Sequence, residues 1–264
     1  MFVRHVVRLS AAGLMAATIA FAGSPSEAQQ EGAAKTAPVF DERAAGEIRD
    51  IVRQYLLDHP EVIVEAIQTL QARQRDSGER QQRAAIAGAT AELQQQAGDP
   101  SIGDPDAPLV IVEFFDYACG YCKSMVDVMI DLVESNKDVR LVLKEFPILN
   151  PESERAARTA LAVARQGADK YRAFHVALMR AKALNGTIVE RAAREAGADM
   201  SRLKRDLALP AIDETIAANH ALARRLGISG TPAIIIGDNL VPGAIGADAL
   251  GRMVAELREK RAAR

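Results

Sequence analysis

Residues 119–122 read Cys-Gly-Tyr-Cys and hold the two cysteines of the 264-residue chain. Their setting constrains the fold more than any other feature. An apolar run at 109–115, broken only by Glu113, leads into them and reads as a strand buried on both faces. Met125, Val126, Met129, Ile130 and Val133 follow at the spacing of one helix face, which predicts a helix from about 119 to 134. A second apolar run at 139–146 returns as a strand, and strand, helix, strand opens a parallel α/β unit. Residues 152–226 are helical in pattern, with breaks at Gly167, Asn185-Gly186, Gly197 and Pro210 and a capping box formed by Thr187 and Glu190. Strand signals resume at 233–236 and at Leu240-Val241, and Leu250, Met253, Val254 and Leu257 line a last amphipathic helix. The expected core is therefore α/β, split by an all-helical insertion of four or five helices.

A cysteine pair at a helix start puts the first sulfur at the exposed end and the second one turn in. The unpaired N–H groups and positive end of the helix dipole favour the thiolate of Cys119, so Cys119 is the expected nucleophile and Cys122 the resolving thiol. Other uses of two thiols fit less well. Structural zinc wants four ligands, and the remaining candidates His59, His175 and His220 are scattered over three regions. A structural disulfide here would close a loop too short to remove much unfolded-state entropy. Two thiolates can hold copper(I), which stays as a rival.

Glu113 is an acid inside an apolar strand, and a buried carboxylate needs a reason. Two compatible ones are a pair with Lys144 on the next strand and proton exchange with the sulfur of Cys122. The histidines lie in helical patterns and receive no role. Pro232, in Gly230-Thr231-Pro232, reads on its own as a strand-entry proline.

Upstream, Arg4, His5 and Arg8 precede about 15 apolar or small residues at 9–23, short of the roughly 20 that a spanning helix requires, and Ser26 and Ala28 suit a signal peptidase. Residues 1–28 read as a cleaved export signal and 29–43 as a flexible leader. Ile48, Ile51, Val52, Tyr55 and Leu56 mark one helix, which should stop at Asp58-His59-Pro60, and Ile63, Ala66, Ile67 and Leu70 mark a second. Between 73 and 96 the chain is Gln, Arg, Ala and Glu, with too little to bury against its own domain. Residues 44–97 are thus expected to form an arm that self-associates, and the compact domain to span 98–264 with the insertion at 152–226. With 33 basic and 35 acidic residues, no field gathers nucleic acid or an anionic membrane surface. Export with one cysteine pair favours redox chemistry.

These residues resemble the thioredoxin superfamily, and within it the exported DsbA-like thiol-disulfide oxidoreductases. The resemblance rests on residues 110–117 leading into the Cys-Gly-Tyr-Cys, on Lys144-Glu145-Phe146-Pro147, on the helical insertion, and on Gly230-Thr231-Pro232 with Val241-Pro242-Gly243-Ala244. It implies a thioredoxin fold with an inserted all-helical domain, preceded by an amino-terminal helical arm, and a cis-proline loop at Pro232. It further implies that Gly120, Tyr121, Thr231 and Pro232 shape the substrate groove, with no cofactor beyond the redox-active pair. Gly120-Tyr121 and Thr231 look like the pattern of DsbC-type isomerases, whereas strong oxidases resemble the rest of the core. The arm, with residues 55–62 reading Tyr-Leu-Leu-Asp-His-Pro-Glu-Val, is similar to that of ScsC proteins, some of which are trimeric isomerases. The implied partners are unfolded or misoxidised exported proteins in a periplasm and a membrane redox protein for recycling, with a homo-oligomer built on the arm. A dithiol oxidase is the alternative.

Overall fold

The computed structural model describes residues 40–263, so the expected signal at 1–28 and most of the leader lie outside the described residues. Two units are distinguished, up to Val62 and from Ile63 onward. In the first, α1 (Glu42–Asp58) starts at Asp41, whose carboxylate accepts the Ala44 N–H at 2.8 Å. The helix thus begins inside the stretch expected to be leader. Ile48, Ile51, Val52, Tyr55 and Leu57 are exposed on it.

The second unit takes up α2 (Glu61–Gly88) from Ile63, then α3 (Thr90–Gln94). A five-stranded mixed sheet follows, formed by β1 (Ser101–Gly103), β2 (Leu109–Phe115), β3 (Val139–Glu145), β4 (Ala233–Ile236) and β5 (Asn239–Pro242) in the spatial order β1-β3-β2-β4-β5. β2 and β3 run parallel, joined through α4 (Gly120–Ser135), as the strand-helix-strand pattern predicts. The other pairings are antiparallel. The insertion contains α5 (Pro151–Ala164), α6 (Ala168–Arg180), α7 (Gly186–Glu195), α8 (Met200–Asp206) and α9 (Pro210–Arg225), and α10 (Ala247–Ala262) closes the chain.

Because successive strand residues point to opposite faces, the sheet has two cores. Ile111, Phe115, Leu141, Leu143, Ile234 and Ile236 pack with α4, α10 and the insertion. Val110, Val112, Phe114, Val142 and Ile235 face the other way, onto Leu222 and Leu226 and onto Ile86, Ala89 and Leu93.

That last contact corrects the expectation that 73–96 has too little to bury. Ile86, Ala89 and Leu93 fall three and four apart, make one apolar face, and complete the second core, so the packed domain begins upstream of Gly98. The capping box is also corrected: Asn185 caps α7, accepting the Ile188 N–H at 3.0 Å, which leaves Thr187 inside the first turn.

Candidate active site

β2 ends at Phe115, and Asp116, Tyr117 and Ala118 turn the chain into α4. The buried Asp116 carboxylate fixes this turn, Oδ1 accepting the Ala118 N–H at 2.7 Å while Oδ2 accepts those of Ile148 and Leu149 at 2.8 and 3.0 Å. The loop after β3 is thereby clipped to the turn before the cysteines. Cys119 sits at the N-cap of α4 with extended backbone. Its Sγ donates to the carbonyl oxygen of Thr231 at 3.2 Å, and the Thr231-Pro232 bond that opens β4 is cis. Both thiols are free, Cys119 is 6% exposed and Cys122 1%, while Tyr121 between them is 71% exposed.

Glu113 stands on the face of β2 that carries the first core, and one carboxylate oxygen has no hydrogen-bond partner. Burial alone pushes its carboxyl up to about 8. Burial first, and the Glu113 charge second, push the Cys122 thiol far above its ordinary range. The structure thus brings Glu113, Cys119, Cys122, Thr231 and Pro232 together.

Lys144 is elsewhere, and the expected pair with Glu113 is corrected. Glu113 is in register with Leu143, and Lys144 with Phe114, so the lysine points to the opposite face. There its ammonium pairs with Asp99 and donates to the Glu92 carbonyl.

Four residues that sequence reasoning left without roles meet beneath the turn. Tyr117 and Tyr171 both donate to Glu145 Oε1 at 3.3 Å, and the Tyr117 hydroxyl lies 3.2 Å from His175 Nδ1. Tyr171 and His175 come from α6, so only the tertiary fold assembles the set. A cavity of about 1330 Å³ lined by α5, α7 and α8 includes neither cysteine. Among the described residues no three His, Cys, Asp or Glu side chains converge as a metal site.

Residues 110–255 match the DSBA-like thioredoxin domain family, and residues 46–76 match the copper resistance protein ScsC N-terminal domain. A linker-deleted variant of Proteus mirabilis ScsC is 31% identical with a TM-score of 0.65, the alignment covering 84% of this chain and 98% of that one. A thioredoxin-like oxidoreductase from Silicibacter pomeroyi is 42% identical with a TM-score of 0.61, over 64% of this chain and 97% of that one. The probable disulfide bond formation protein D of Bacillus anthracis is 26% identical over 155 residues, 53% of this chain and 70% of that protein. With a family match over more than half its length and a solved relative spanned almost end to end, the chain belongs to the DsbA-like thioredoxin-domain family of thiol-disulfide oxidoreductases and carries an amino-terminal segment of the ScsC type.

Proposed function

We propose that this chain is a periplasmic disulfide isomerase that acts on misoxidised exported proteins through Cys119 and Cys122. The observation that carries the chemistry is the asymmetry of the pair: Cys119 lies at the helix N-cap, against the Thr231 carbonyl, and Cys122 is buried beside an unpartnered carboxyl. The Cys119 thiolate attacks one sulfur of a substrate disulfide, forming a mixed disulfide and releasing a substrate thiolate. A different substrate thiolate then attacks the substrate sulfur of the mixed disulfide, which creates the rearranged disulfide and returns the Cys119 thiolate. If the substrate stalls, Cys122 attacks Cys119 Sγ and expels the substrate thiolate. Glu113 as carboxylate takes the Cys122 proton in that step, and as carboxylic acid returns it when the Cys119-Cys122 disulfide is opened. Tyr121 and the Thr231-Pro232 loop border the path of the substrate backbone, and a membrane electron donor keeps the pair reduced.

The arm supports isomerase over oxidase. Apolar side chains stand exposed on α1 and on the early part of α2, at Ile63, Val64, Ile67 and Leu70, within or beside the segment that matches the ScsC N-terminal domain. Covered by copies of the chain, they would set several Cys119 sites around one substrate. The test compares the mature chain with its Ile67→Asp/Leu70→Asp variant, by light scattering and by refolding of a scrambled multi-disulfide protein. An oligomer that shuffles, against a smaller variant that only oxidises, supports the proposal. A monomeric native protein whose pair is oxidised in cells makes it a dithiol oxidase.

The match to a copper resistance domain favours a second reading, in which the same thiols hold copper(I). Cuprous binding lost in Cys119→Ser, with no native activity on scrambled substrates, would select it.

A further inference from the structure

The cysteine helix is joined on both sides to one helix of the insertion. Before Cys119, the buried Tyr117 hydroxyl lies against Glu145 Oε1 and His175 Nδ1. A phenol has one proton, so with Tyr117 donating to Glu145 the imidazole Nδ1–H donates to the phenol oxygen. After Cys122, Lys123 Nζ donates at 2.7 Å to the carbonyl of Ala181, the C-cap residue that follows α6. This carbonyl is the hydrogen-bond partner that holds the Lys123 ammonium. His175 lies within α6 and Ala181 is its C-cap, six residues further on, so the two links grip the C-terminal half of the helix at separate points.

The seat below Tyr117 is built from neutral groups. Burial pushes His175 down to about 3 and Glu145 well above the carboxylate range. The groups facing the phenol are Glu145 from β3, Tyr171 and His175 from α6, and the rings of Phe115 and Phe174. Cys119 itself contributes no side-chain cap to α4. Together with the main chain, Asp116, the Cys119 Sγ contact to Thr231 and the burial of Cys122, these two links hold the start of α4 against its surroundings, and Asp127 of α4 pairs with Arg180 of α6 further along the helix.

We propose that α6 of the helical insertion positions the dithiol, through Tyr117 on one side and Lys123 on the other, and that both are positioning residues for the Cys119 nucleophile. The inference rests on the reading of Cys119 as the attacking thiol. Thiolate stabilisation at a helix N-terminus falls off within the first turn, so a small loosening of that turn lowers the reactive fraction.

The experiment follows iodoacetamide alkylation of the reduced, full mature chain from pH 5 to 9, with mass spectrometry separating Cys119 from Cys122. Tyr117→Phe changes no charge and keeps the ring contacts to Phe115 and Phe174, at 5.1 and 6.1 Å between centroids. Tyr117→Phe and Lys123→Met should each slow Cys119 alkylation about threefold or more at fixed pH near 6. Lys123→Arg, which keeps the cation and a donor, should recover most of the native rate. The double variant should be slowed by less than the product of the single effects, because both links act through one helix. A native rate and pH profile in Tyr117→Phe and Lys123→Met, even with a lowered melting temperature, would overturn the proposal. Cys122 reacting before Cys119 in the native protein would instead overturn the nucleophile reading on which it rests.

Discussion

Lys144 and Asp99 form a buried ion pair on the face of the sheet turned away from the cysteines, with Asn219 donating to the second Asp99 oxygen at 3.1 Å. Burial pushes the Asp99 carboxyl up and the Lys144 ammonium down, and each partner opposes the other's shift. Removing one member leaves a charge in the core without its counterion. Lys144→Met is expected to destabilise the protein by about 3–5 kcal/mol, and Lys144→Met with Asp99→Leu by clearly less. Urea unfolding measures both, and Cys119 alkylation in the folded variants should keep the native rate.

Glu113 gives a pH dependence whose sign follows from its burial. The carboxyl ionises near 4.5 in the unfolded chain and near 8 in the folded one, so the unfolded chain loses its proton first as pH rises. The stability tied to this group is complete below pH 4.5 and is lost as pH climbs to about 8. Glu113→Gln does not titrate, so relative to the native protein it should gain a few kcal/mol between pH 4 and pH 9. Urea unfolding at the two pH values checks this.

The same substitution should act on catalysis in the opposite sense. Release of substrate from a mixed disulfide by Cys122 should speed up in the native protein as Glu113 becomes a carboxylate through about pH 8. Glu113→Gln should lack that inflection and be about tenfold or more slower above it, within the range general base catalysis supplies. Stopped-flow decay of a mixed disulfide formed on Cys119 reads the step directly.

Leu93 belongs to the domain as much as any strand residue does. Leu93→Ala is expected to lower stability by about 2–5 kcal/mol through lost burial and an unfilled cavity beneath the sheet. A chain starting at Gly98 should melt well below one that retains α2, as thermal unfolding followed by circular dichroism would report.

Much of this was readable in the sequence because the decisive signals were local. The apolar run of β2, broken only by Glu113, and the glycine, asparagine and proline breaks in the insertion carry their structure in adjacent residues. β1 was missed because Ser-Ile-Gly has no periodicity and becomes a strand only by pairing antiparallel with β3. Lys144 was misplaced by one position of register, since a period of two turns a single-residue error into the wrong face. The Ile86, Ala89, Leu93 stripe was present but short, and its surroundings of alanine and glutamine concealed it. The seat under Tyr117 left no trace, because Glu145 and His175 meet it only after the insertion folds back on the sheet.

The outermost strands bear on the company this protein keeps. β1 has three residues, and β5 has four and ends in a proline that has no N–H to offer. On the proposed function the clients are unfolded chains, which carry segments searching for a strand to pair with. A long, straight border would recruit such segments into intermolecular sheet, whereas margins this short, one of them ending in proline, offer little to pair with.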